Sequence, residues 1–143
     1  MPLRIGVLLL LLVPGKLGPA LHTEAYLAVD LPEPWRVGVA SWYGPGYYGR
    51  RTASGEIFTG QDLTFAHRTL PFGTVVEFKY GGKVVVARCN DMGPYIRGRD
   101  FDLSERLAEI LGMKREGVVE VMWRVRGEGA YTSGENVVAG APA

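Results

Sequence analysis

The sequence has little cysteine and little histidine: one Cys89, with His22 and His67, in 143 residues. A lone thiol cannot close an internal disulfide, and this set is too small for a structural zinc site. Charge of one sign is also missing, since 16 Lys+Arg stand against 15 Asp+Glu, the pI is near 7.9 and no basic stripe occurs. Without a positive field a chain cannot grip a phosphate backbone, which excludes a dedicated nucleic-acid binder. Long apolar runs are absent too. Residues 5–13 form the longest, whereas a membrane-spanning helix needs about 20. Nothing in the sequence asks for a cofactor or a metal.

What the sequence does have is glycine, 20 residues of it. Glycine at that density marks many tight turns, as in a β-rich fold of short strands, and the length suits one small domain. Arg4 followed by the apolar run and Pro14-Gly15 reads as a signal peptide over residues 1–20, with cleavage after Ala20 or Ala25. The exported chain is then expected to be soluble, a monomer, and without a stable membrane span. Two prolines make residues 21–35 an extended lead-in. The folded domain is expected over 36–127. Within it, residues 36–43 alternate as a strand. Residues 74–80 and 83–89 flank Gly81-Gly82, a hairpin with a primed turn. VVEVMWRVR at 118–126 is a last strand. Leu107, Ile110 and Leu111 share one face of a short helix at about 104–111, with Asp102 and Glu105 spaced as a capping box and Gly112 as the stop. A small β-barrel with an inserted helix accommodates these elements. Residues 128–143 are too poor in apolar mass to pack and read as a flexible tail.

Five groups of residues bear on chemistry. Glu56 follows a glycine among apolar neighbours that could desolvate its carboxyl and raise its pKa, against the plainer reading of a solvated turn residue. Asp91 sits at a strand end before Gly93-Pro94, fit either to act on a ligand or to make an Asx turn. Asp102 is placed to cap the helix. His67 reads either as a core histidine or as a hydrogen-bond donor to substrate or to Glu56. Tyr43, Tyr47, Tyr48 and Tyr95, with Asn90, lie near these acids and suit contact with sugar rings, Tyr47 and Tyr48 most of all.

Taken in order, GVASWYG (38–44), TASGEIF (52–58), AHRTLP (66–71), NDMGPY (90–95) and RDFDLS (99–104) resemble the rare lipoprotein A (RlpA) family. The resemblance covers about residues 36–126. It implies a mainly β fold, a six-stranded double-psi β-barrel related to expansins, and a septal lytic transglycosylase acting on peptidoglycan glycan strands stripped of peptide. It implies a place in the periplasm or cell envelope and partners among cell-division proteins. It also implies Glu56 and Asp91 as the acidic catalytic pair and His67 as the active-site histidine, with Asp102 matching a further acid. This chain has Met92 where the family usually has Arg, and Tyr95 where Phe is common. It lacks the lipoprotein cysteine, so lipidation is not expected.

Overall fold

The structure, a computed structural model, describes residues 33–126. The expected signal peptide, nearly all of the lead-in and the expected tail lie outside the described residues. Six strands form a closed barrel: β1 (Arg36–Tyr43), β2 (Thr64–His67), β3 (Val75–Tyr80), β4 (Lys83–Asp91), β5 (Phe101–Ser104) and β6 (Val118–Val125), in the order β1-β5-β2-β4-β3-β6 with β6 returning to β1. Two pairs, β1 with β5 and β2 with β4, are parallel, and the other four are antiparallel. One helix, α1 (Glu105–Leu111), packs on β4, β1 and β5.

The expected hairpin is β3–β4, and both turn glycines have positive φ, 54° at Gly81 and 78° at Gly82, the conformation a primed turn requires. β2 and β5 are the strands that periodicity does not reveal, because four residues each are too few to show alternation. The capping box is a misreading. Asp102 belongs to β5, and the cap is Ser104, whose hydroxyl accepts from the Leu107 N–H. Gly112 closes the helix in the left-handed conformation at φ 78°.

Phe65, Phe78 and Phe101 meet edge-to-face inside the barrel at 5.0–5.7 Å, each pair adding about 0.5–1.5 kcal/mol beyond its buried area. Ala40, Ala87, Cys89 and Leu103 complete that inner face. The outer face of the same strands carries the polar set. Along one register row Ser41 of β1 stands beside Asp102 of β5, Asp102 beside Ala66 of β2, and Ala66 beside Asp91 of β4.

Candidate active site

Strand alternation alone would point Asp91 inward with Cys89. A bulge prevents this: Phe65 pairs with Cys89 but the next residue, Ala66, pairs with Asp91, so Asn90 is an extra residue in the ladder. Cys89 then stays in the core at 0% exposure while Asp91 turns out beside Ala66 and Asp102. The strand thus runs through Asp91 rather than ending before it.

The loop between β1 and β2 folds over this row. Asp91 Oδ1 accepts the N–H of Ala53 and of Met92, both at 2.9 Å. That oxygen is fully engaged as an acceptor, so a proton on Asp91 resides on Oδ2. Ser54 N–H donates to the Asn90 carbonyl, and Arg88 and Asn90 hold the Glu56 carboxylate, Arg88 in a fork of 2.6 and 2.8 Å and the Asn90 amide at 3.0 Å. Glu56 therefore carries a lowered pKa, caused by these Arg88 and Asn90 hydrogen bonds. Of the two readings open for Glu56, this is the solvated turn residue and not the desolvated, raised carboxyl: Glu56 is exposed and is a charged latch for the loop.

Asp102 behaves in the opposite way. Burial raises its pKa, opposed by the Ser41 hydroxyl, which donates to Oδ1 at 3.1 Å, and by Arg99, while the Asp91 charge raises it further. Tyr43, the last residue of β1, is buried, its ring stacked on Phe58. Its hydroxyl is pushed far up by burial and by Asp91 and Asp102, and it closes no hydrogen bond of ordinary geometry among the described residues.

The structure sets several other expected residues apart from this centre. His67 shares the inner side of β2 with Phe65, its ring lying 4.9 Å from Phe101 and 6.2 Å from Trp123. Its Nδ1 accepts the N–H groups of Thr69 and Leu70, both at 3.1 Å, so it shapes the loop after β2 and makes no bond to Glu56. Burial, then Arg68, lowers its pKa. Asn90 is 3% exposed; its Nδ2 donates to Glu56, and its Oδ1 has no hydrogen-bond partner among the described residues. Tyr48 is also structural: its ring fills the space beside Gly60 and its hydroxyl bonds the Glu105 carboxylate, which Lys114 also holds. Tyr47 and Tyr95 are what the rim offers, at 52% and 77% exposure, with Met92 beside Asp91 at 51%. The bulge and the Ser41 contact are the parts sequence reasoning missed. Asn90-Asp91 at a strand end was the available signal for the first. Among the described residues no cluster of His, Cys, Asp or Glu could hold a metal ion, and no helix is long and apolar enough to cross a membrane.

This chain is 54% identical over 86 residues to a protein of Synechocystis sp. named probable endolytic peptidoglycan transglycosylase RlpA, covering 59% of this chain and 27% of that one. It is 40% identical over 103 residues to the endolytic peptidoglycan transglycosylase RlpA of Campylobacter jejuni, covering 71% and 38%. The chain thus spans well under half the length of these relatives. Among solved structures, a mutant Clavibacter michiganensis expansin in complex with cellohexaose has the same fold, with TM-score 0.57, 15% identity and coverage of 69% of this chain and 54% of that one. So does the Streptomyces papain inhibitor, with TM-score 0.54, 21% identity and coverage of 66% and 96%, and the barrel alone therefore fixes no activity. The profile of the family described as lytic transglycolase matches residues 36–123, more than half of the sequence, with five strands whole and most of β6, and the chain belongs to that family.

Proposed function

We propose that the protein cleaves the β-1,4 bond between N-acetylmuramic acid and N-acetylglucosamine in peptidoglycan by a lytic, water-free route, with Asp91 as the acid and base. The observation that carries this reading is the aim of Asp91: the Asn90 bulge turns it outward, and two backbone N–H groups hold Oδ1 so that Oδ2 is the working oxygen. The names of the Synechocystis and Campylobacter relatives support the same substrate.

A hydrolase needs a placed water or a carboxylate nucleophile. In the lytic route one carboxyl serves twice. Asp91 Oδ2 gives its proton to the glycosidic oxygen as the bond to C1 breaks, and the muramoyl 6-hydroxyl then attacks C1 and returns its proton to Oδ2. The enzyme ends as it began, and the product carries a 1,6-anhydro ring. Glu56, held as a carboxylate, supplies negative charge near the oxocarbenium-like transition state and keeps the covering loop in place. Tyr47 and Tyr95 offer exposed rings for sugar stacking. His67 acts at one remove, through the loop it pins.

The same reading puts the protein in the periplasm or cell envelope, where peptidoglycan lies, as a monomer acting on peptide-free strands, with cell-division proteins as its partners. Digestion of peptide-free glycan strands in oxygen-18 water tests the chemistry. Ends that carry no label and are lighter than hydrolytic ends by one water support the lytic route. Labelled reducing ends would make the protein a glycosidase, and glycan binding without any soluble product would make it a wall-loosening module of the expansin kind.

A further inference from the structure

Ala66 of β2 is in register with Asp91 on one side and with Asp102 on the other, and Arg68 follows just past the end of that strand. Residues 92–100 leave β4 at Asp91 and enter β5 at Phe101, so they arch across the end of β2 from one acid to the other. Arg68 ties the two legs of this arch together. Its Nη1 donates to the Pro94 carbonyl at 3.0 Å on the Asp91 side and to the Arg99 carbonyl on the Asp102 side, while Nη2 reaches Asp100 Oδ1 at 3.4 Å. Each leg also has an anchor in the barrel. On one side the Met92 N–H bonds Asp91 Oδ1, and on the other Asp100 exchanges bonds of 2.8 and 2.9 Å with the Val39 backbone. The Arg99 N–H closes the crown on the Ile96 carbonyl at 3.2 Å. Although its legs are held this closely, the crown leaves the large side chains of Tyr95 and Ile96 in water. Exposed apolar groups on a fixed backbone beside an acid form a recognition edge.

We propose that Arg68 is a positioning residue for glycan binding: by clamping the 92–100 arch it presents Tyr95 as a rigid platform for a sugar ring on the lip beside Asp91, and it acts on the substrate through Tyr95 without touching it. This role rests on the glycan reading above. Tyr95 offers an apolar ring with a polar tip, which suits the mixed surface of a sugar. The clamp needs arginine. A guanidinium carries its N–H groups in a planar fork and holds acceptors on both legs at once, whereas an ammonium is a point charge on a flexible stem. Its hydrogen bonds are also stronger than those of a neutral donor. Without the fork, each leg keeps its barrel anchor but nothing joins Pro94 to Arg99 across the arch. The crown must then be ordered when the glycan binds, and the cost of that ordering is read as lost affinity.

The test is the affinity for peptide-free glycan strands, measured in the Asp91→Asn background so that cutting does not interfere. Arg68→Ala and Tyr95→Ala should each weaken binding about 10-fold, and the two together by no more than the larger single loss, because both disable the same platform. Arg68→Lys keeps the charge and loses the fork. It should bind as weakly as Arg68→Ala while unfolding close to the urea midpoint of its parent, since the Arg68 and Asp100 side chains are partly exposed. With Asp91 restored, the loss in Arg68→Lys should fall on KM rather than kcat. Losses that multiply to about 100-fold in the double variant would overturn the proposal, because independent sites add in free energy. So would the parent's affinity in Arg68→Lys or in Tyr95→Ala, or a loss confined to kcat. The clamp and the lytic reading fail separately. Coupled losses of binding in a protein whose wild type releases no anhydro ends would support the clamp and overturn the lytic reading, and anhydro ends together with independent losses would do the reverse.

Discussion

Asp91 and Asp102 stand on the same outward face of the barrel with Ala66 between them, one strand to either side, so that a single methyl group separates the two acids along the register row. Ala66 is 3% exposed, which leaves little room there for a β-branched side chain. The nearness of the acids underlies the upward push of Asp91 on Asp102.

Ala66→Val should therefore do two things. It should cost about 1–3 kcal/mol of stability by overpacking, and it should lower glycan cleavage by more than the loss of folded protein accounts for. Ala66→Ser should retain most of both. Urea unfolding beside rate measurements checks this, and full activity in Ala66→Val would show that the row has room to spare.

The Glu56 latch has a defined pH window. Its carboxyl is held below the ordinary glutamate value of 4.5 in the folded protein, so its contribution to stability is complete above that value and is lost as pH falls through the lower, folded one. Because the pair is partly exposed and screened, Glu56→Gln should cost only about 0.5–1 kcal/mol at pH 7, and less as the pH is lowered below 4.5 through the folded value. A deficit that does not change with pH would mean that the substituted amide fails for reasons of shape and not of charge.

His67 should be a neutral Nε2–H tautomer over the neutral range, since two N–H groups point at Nδ1. Its folded pKa lies below the ordinary 6.5, so its contribution to stability is complete above 6.5 and declines as pH falls toward the folded value. Nitrogen-15 NMR of the imidazole reports both, and an Nδ1–H tautomer at pH 7.5 would contradict the assignment.

The adjacent tyrosines should separate cleanly. Tyr48→Phe removes a hydroxyl bonded to Glu105 and should lower stability by about 1 kcal/mol with little change in KM. Tyr47→Ala, at the exposed rim, should raise KM several-fold with little change in melting temperature. A reversed pattern would place Tyr48, and not Tyr47, against the sugar.

The sequence showed what local pattern can show. The 36–43 and 118–126 alternations and the Gly81-Gly82 hairpin are β1, β6 and β3–β4. It could not show β2 and β5, four residues each, which are strands only because longer neighbours pair with them on both sides. The site followed the same division. Asp91 was legible as a carboxylate beside a turn, but its outward aim depends on a bulge that exists only once β2 and β4 are paired. For Glu56 the flanking residues misled, because the deciding partner, Arg88, is 32 positions away. Likewise the spacing of Asp102 and Glu105 mimicked a capping box while Ser104 provided the cap.

Asp91 carries the central claim, and Asp91→Asn tests it most directly: the side chain keeps its shape and an oxygen for the Ala53 and Met92 N–H groups, but it has no acidic proton to give. Wild type and variant would be incubated with peptide-free glycan strands and the soluble products weighed by mass spectrometry. The account predicts 1,6-anhydro ends from the wild type and a loss of at least about 100-fold in the variant, with glycan binding intact. Anhydro ends released at the wild-type rate by Asp91→Asn would contradict it.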